Sequence, residues 1–167
     1  MPLIASWPGT IKAGSQCKQV VELADFFATV SEITSIKHGA NAGEDSYSML
    51  PLLLGEEAPS YRDFAVHHSS QGRWAIRAGA WKLLLHSGSG GNRVPCPEDN
   101  DPVQLYDLGV DPFETTNIYS RHPELVRKLK ALCLKCIQEG RSTPGAPQPN
   151  DDGGEWKQLK DLVELEV

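Results

Sequence analysis

Hydrophobic positions along this chain fall into two periods. Between Gln19 and Ile33, Val20, Leu23, Ala24, Phe27 and Val30 recur at three- and four-residue steps, and Glu22, Asp25, Thr29 and Glu32 form the opposite stripe. That spacing predicts an amphipathic helix with its polar stripe, Asp25 included, in solvent or at a cap. Leu125, Val126, Leu129, Leu132, Cys133, Cys136 and Ile137 repeat in the same way and predict a second helix. Pro123 opens it, with His122 or Ser120 near the cap, and Gly140 closes it. Between the helices the period shortens. Phe64 to His68, Arg73 to Arg77, Trp81 to Leu85 and Gln104 to Leu108 carry strand-type residues. Ala78-Gly79-Ala80 is short enough to pair the second run with the third as a hairpin. Trp81, Leu83 and Leu85 share one face and Lys82 takes the other, so the sheet is antiparallel with one buried face.

The remaining segments carry less pattern. Leu3 to Ser6 reads as a strand stopped by Trp7-Pro8-Gly9. Lys37 to Ser60 gains Gly, Pro and Ser and reads as a connecting loop with a helical turn at Met49 to Leu54. From Gly145 to Gly154 the chain is rich in Pro, Gly, Asn and Asp, and Lys157 to Val167 forms a short amphipathic helix or frays. The fold class that follows is α+β: a four-stranded antiparallel sheet packed by a carboxy-terminal helix.

Composition narrows the function classes. A formal charge of -6 and a pI near 5.3 exclude a nucleic-acid partner bound through a basic face. No apolar run approaches the roughly 20 residues of a membrane span, and Pro51 breaks the longest candidate. Cys133 and Cys136 sit on the apolar stripe of a helix, which makes them buried thiols; no second Cys or His pair completes a zinc site. The glycine-rich run His86 to Asn92 lacks a following Gly-Lys-Ser/Thr, so it reads as a crossover between strands.

A series of short motifs, in fixed order, gives the chain a likeness. They are Leu3-Ile4-Ala5-Ser6-Trp7-Pro8-Gly9, Ala42-Gly43-Glu44-Asp45-Ser46, Pro51-Leu52-Leu53-Leu54-Gly55, Ala75-Ile76-Arg77 with Trp81-Lys82-Leu83, Gln104-Leu105-Tyr106-Asp107-Leu108, Asp111-Pro112-Phe113-Glu114-Thr115-Thr116-Asn117, and the stretch from Gly140 to Asp151. In that order they resemble the closing third of a type I sulfatase, of the arylsulfatase family in the alkaline-phosphatase-like superfamily. The resemblance implies three regions: residues 1–60 as the end of the large α/β catalytic domain with its connecting loop, 61–140 as a small carboxy-terminal α+β subdomain, and 141–167 as a tail. The first region would then be a strand-helix remnant of the large domain. It also implies hydrolysis of sulfate esters on a sulfated small molecule or glycan, a formylglycine nucleophile, Ca2+, and a secreted, periplasmic or lysosomal setting. None of Cys17, Cys96, Cys133 and Cys136 is followed by x-Pro-x-Arg, the pattern that carries the nucleophile in the family. The resemblance therefore places nucleophile and metal ligands outside this chain, and the chain alone is expected to be inactive. A non-catalytic binding module derived from a sulfatase is the alternative, and a phosphonate or phosphodiester hydrolase of the same superfamily is a further one.

Substrate contact is the chemistry left to these residues. His67 and His68 end a predicted strand and lead into the polar turn Ser69-Ser70-Gln71-Gly72, where a scaffold presents side chains to a pocket. Adjacent strand residues point to opposite faces, so one of the two faces the substrate. Strand ends of this kind look toward the active-site mouth in the resembled family, which assigns substrate contact to His68. Arg77 and Lys82 are the cations that flank the hairpin, read as a solvated face, and Arg141, Ser142 and Thr143 as a docking loop.

Overall fold

The computed structural model describes residues 3–56, 61–90, 101–150 and 156–165. The chain forms two compact units, Met1–Asp63 with Thr143–Ala146, and Phe64–Ser142 with Pro147–Val167.

The second unit is built on four strands, β1 (Ala65–His68), β2 (Trp74–Ala78), β3 (Trp81–Leu84) and β4 (Gln104–Asp107), in the order β1-β2-β3-β4. All neighbours are antiparallel, and the register aligns Val66, Ile76, Leu83 and Leu105 in one row across the sheet. That row faces helix α3 (Pro123–Glu139), which contributes Val126, Leu129, Cys133 and Ile137 to a common core. Pro123 stands at the helix start and Gly140 closes it with φ +61. The carbonyl of Gln148 occupies the space a Cβ at Gly140 would need, so glycine is required there twice over. Burial pushes the Cys133 thiol up to about 12, which leaves it protonated and inert. The residues 157–164 form helix α4 (Lys157–Glu164), and Leu162 enters the same core.

Two motifs of the sequence prove to be internal braces of this unit. Asn117 accepts the N–H groups of Leu105 (2.9 Å) and Tyr119 (3.2 Å) and donates to Asp101 (2.8 Å), tying the free edge of β4 to the chain that leads into α3. Six residues earlier, Asp111 accepts the N–H groups of Thr115 (2.8 Å) and Thr116 (2.9 Å). These bonds favour its charged form and hold its carboxyl below the usual carboxylate range.

The first unit departs from the sequence expectation. Helix α1 (Asp25–Thr34) starts later than the periodicity predicts, and it turns Asp25 and Thr29 of its polar stripe inward while Glu32 stays exposed. Asp25 is 0% exposed and Thr29 3%, whereas Leu23 is 72% and Val30 53% exposed. Hydrogen bonds explain the inversion. Thr29 donates to the Asp25 carbonyl (2.6 Å) and accepts the Met49 N–H (2.8 Å). Ser46 donates to the Ala24 carbonyl (2.7 Å) and accepts the Ala28 N–H (2.8 Å). The segment before the helix is turned by Asp25, which accepts the Glu22 N–H (2.8 Å). Gly43, at φ +70, lies so close to the Phe27 ring that a Cβ would overlap it. A short helix α2 (Leu50–Leu53) follows. Leu3 to Ser6 has no strand partner among the described residues; a strand exists only where a neighbour takes its backbone groups.

A candidate substrate-facing corner and a cationic sheet face

The strand register separates the residues that the sequence singles out. Along β1, Val66 and His68 point to the α3 side of the sheet, while Ala65 and His67 point to the other. His68 is exposed at the end of β1, beside its cross-strand partner Trp74. The two rings meet edge to face with centroids 5.6 Å apart, a favoured geometry for aromatic pairs. His68 Nδ1 lies 2.9 Å from the Ser69 carbonyl, so in the neutral ring it carries the proton, and Nε2 is the atom offered outward. The turn itself is shaped by Ser69, whose carbonyl accepts the Gly72 N–H at 2.9 Å. Gly72 has φ +74. His68 is thus held by an edge-to-face ring contact and one hydrogen bond, with the rest of the imidazole accessible.

His67 shares the opposite face with Arg77, Lys82, Gln104 and Tyr106. Desolvation and the nearby charge of Lys82 hold the His67 imidazole below its ordinary value, which keeps it neutral near pH 7. Arg77 and Lys82 stand directly opposite one another, a like-charge pair that destabilises a sheet unless something intervenes. Glu114 intervenes: Lys82 donates to its two carboxylate oxygens at 2.6 and 2.8 Å. Glu114 does so from φ +56, an uncommon conformation for a residue with a Cβ. Arg77 donates to the Gly79 carbonyl (3.3 Å) within its own hairpin. Sequence reading missed Glu114 as the partner of Lys82, because 32 residues separate them and no pattern signals a residue at positive φ. On the same face the Gln104 amide donates to the carbonyls of His86 (3.2 Å) and Gly88 (2.7 Å), and accepts the Tyr106 hydroxyl (2.8 Å). Burial keeps His86 below its ordinary imidazole value.

The first unit holds the densest charge cluster. Arg62, buried, pairs with both Asp25 and Glu22, and its guanidinium lies 4.8 Å from the Tyr47 ring centroid. Asp25 also accepts the Tyr47 N–H at 3.0 Å. Burial raises the Glu22 carboxyl despite Arg62 beside it. Every partner of Asp25 is a donor or a cation, so this cluster does not fit a calcium ion, which needs several converging oxygens. Among the described residues no three His, Cys, Asp or Glu side chains group as a metal site, and no helix is long and apolar enough to cross a membrane. Thr143, from the loop after α3, donates through its N–H (3.1 Å) and hydroxyl (2.6 Å) to the Glu44 carbonyl within the same unit.

Residues 1–139 match the family described as N-sulphoglucosamine sulphohydrolase, C-terminal. An N-acetylgalactosamine-6-O-sulfatase of Bacteroides thetaiotaomicron is 32% identical over 136 residues, 79% of this chain and 26% of the relative. Arylsulfatase K of Homo sapiens is 28% identical over 170 residues, 95% of this chain and 30% of the relative. A solved structure from work on the metabolism of multiple glycosaminoglycans by Bacteroides thetaiotaomicron is 31% identical with a TM-score of 0.55, over 68% of this chain and 24% of that one. The fold is also that of Ps i-CgsB in complex with k-i-k-neocarrahexaose, with a TM-score of 0.59 and 21% identity over 92% of this chain and 32% of that one. The chain spans about a quarter to a third of the length of these relatives.

Proposed function

This chain belongs to the N-sulphoglucosamine sulphohydrolase C-terminal family, and on that premise we propose that it supplies the carboxy-terminal part of an enzyme hydrolysing sulfate esters. The observation that carries the reading is its 32% identity to an N-acetylgalactosamine-6-O-sulfatase over 136 residues. Such hydrolysis requires a nucleophile, positive charge at the sulfate oxygens and an acid for the leaving oxygen. On this reading the formylglycine nucleophile and calcium are supplied from outside these 167 residues, and the chain's own contribution is to the rim of the substrate site. His68 is the rim residue: its outward Nε2 and its seat on Trp74 suit a hydrogen bond to the sugar or aryl part of the ester rather than to sulfur.

Two measurements test this. The chain alone, supplied with calcium, should not hydrolyse an aryl sulfate; turnover that depends on a residue within these positions would overturn the reading. A chimera in which residues 3–139 replace the matching portion of the Bacteroides thetaiotaomicron relative should retain hydrolysis. A folded but inert chimera would show that these residues no longer serve catalysis, which favours a binding module. In the active chimera, His68→Ala should lower kcat/KM for a saccharide sulfate about ten- to a hundredfold, roughly 1.4 to 2.7 kcal/mol, with little effect on a small aryl sulfate. His67→Ala should act chiefly through stability. Unchanged saccharide kinetics in His68→Ala, with only a lower Tm, would make the histidine structural.

A further inference from the structure

At the β1–β2 corner the second unit contains a cleft of about 320 Å³, walled on one side by the turn and on the other by α4. This volume is at the lower end of what small-molecule sites occupy. Helix α4 lies beyond residues 1–139, the part that matches the family. It is built from fixed parts. Trp156, just before α4, stacks on Trp74 with centroids 6.4 Å apart. Lys130 of α3 donates to the Leu165 carbonyl at the far end of α4. Gln158 approaches Gly72 so closely that a Cβ there would lie 2.6 Å from the Gln158 Cγ.

The lining combines three kinds of group. Trp74 supplies an aromatic wall, and its buried indole N–H has no acceptor among the described residues. Arg73 and Lys157 bring two cations against the single carboxylate of Asp161, and Gln158 adds an amide. A bare inorganic anion gains nothing from the indole face and is repelled by Asp161. A sugar carrying an acidic group uses all of them: its apolar ring face on the indole, its hydroxyls on Asp161 and Gln158, its anionic substituent on the cations.

We propose that this cleft binds one anionic sugar unit without acting on it, as a second saccharide contact beside the His68 corner. The proposal takes only its choice of probe from the sulfatase reading, and its test measures binding to the whole chain with no turnover, so either can fail without the other. The probe is N-acetylgalactosamine 6-sulfate, followed by the indole N–H resonances of the four tryptophans, with Trp74→Phe used to assign the Trp74 signal. The Trp74 signal should move saturably with the sulfated sugar, about tenfold more weakly with unsulfated N-acetylgalactosamine, and not at all with sodium sulfate. The double variant Arg73→Ala/Lys157→Ala, at two exposed positions, should bind the sulfated sugar about tenfold more weakly with an unchanged Tm. No movement of the Trp74 signal, equal movement with sodium sulfate, or undiminished binding by the double variant would each overturn the proposal.

Discussion

Arg62→Ala should destabilise the first unit by about 3–5 kcal/mol, the range found when one partner of a buried ion pair is removed. The guanidinium faces Asp25, which is 0% exposed, together with Glu22, and its loss leaves buried negative charge without compensation. Glu22 can escape by taking up a proton, since burial already raises its pKa. Asp25 keeps its bonds from the Glu22 and Tyr47 N–H groups but loses the cation that faces it. Hydrogen exchange reads the outcome. Amides of α1 and of residues 46–49, which hang on this cluster through Ser46 and Thr29, should lose protection together. Adding Asp25→Asn to the variant should recover part of the loss, because the two residues share one interaction. Unaltered protection of α1 in Arg62→Ala would mean that the cluster is an ornament on a helix held by other forces.

The second large effect belongs to the sheet core. Leu83→Ala should cost about 3 kcal/mol, within the range for a buried leucine whose neighbours cannot close the gap. Leu83 is 0% exposed and lies between Ile76 and Leu105 in the row that α3 covers. Backbone pairing on both sides fixes β3, so the cavity is expected to persist. Urea denaturation followed by the fluorescence of Trp74 and Trp81, which flank this core, should show a lower midpoint with an unchanged slope. A shift worth less than about 1 kcal/mol would indicate that α3 settles into the space.

Much of the second unit is legible in the sequence. Four strand runs, the β2–β3 hairpin, and the helix from Pro123 to Glu139 with its glycine stop all follow from periodicities of two and 3.6, because each element there buries the apolar face its pattern presents. The first unit is less legible for the same physical reason. Periodicity locates an amphipathic helix but does not say which stripe turns inward, and in α1 the balance is set by Ser46, Thr29 and Arg62, whose partners lie 18 to 40 residues away. The family resemblance rested on short motifs, and the structure gives several of them internal duties: Gly43 makes room for Phe27, Ser46 joins α1 to its loop, Asp111 and Asn117 brace the approach to α3. Such residues mark a fold more than a reaction. The choice of His68 over His67 came from the resemblance, since alternation alone says only that the two face opposite ways; the register adds that His68 lies on the Trp74 side. The cleft under α4 left no sequence signal beyond Trp156 at the start of an amphipathic run.

The inverted helix has a thermal consequence. Heat capacity rises on unfolding in proportion to newly exposed apolar surface and falls with newly exposed polar surface. Leu23 before α1 and Phe26, Phe27, Val30 and Ile33 within it are already at the surface, and apart from Met49 what unfolding brings into water is largely hydroxyl, carboxylate and guanidinium. The first unit therefore carries a small heat-capacity increment per residue and a shallow stability curve, varying little between cold and warm, while the unit around the sheet follows the steep dome of an oily core.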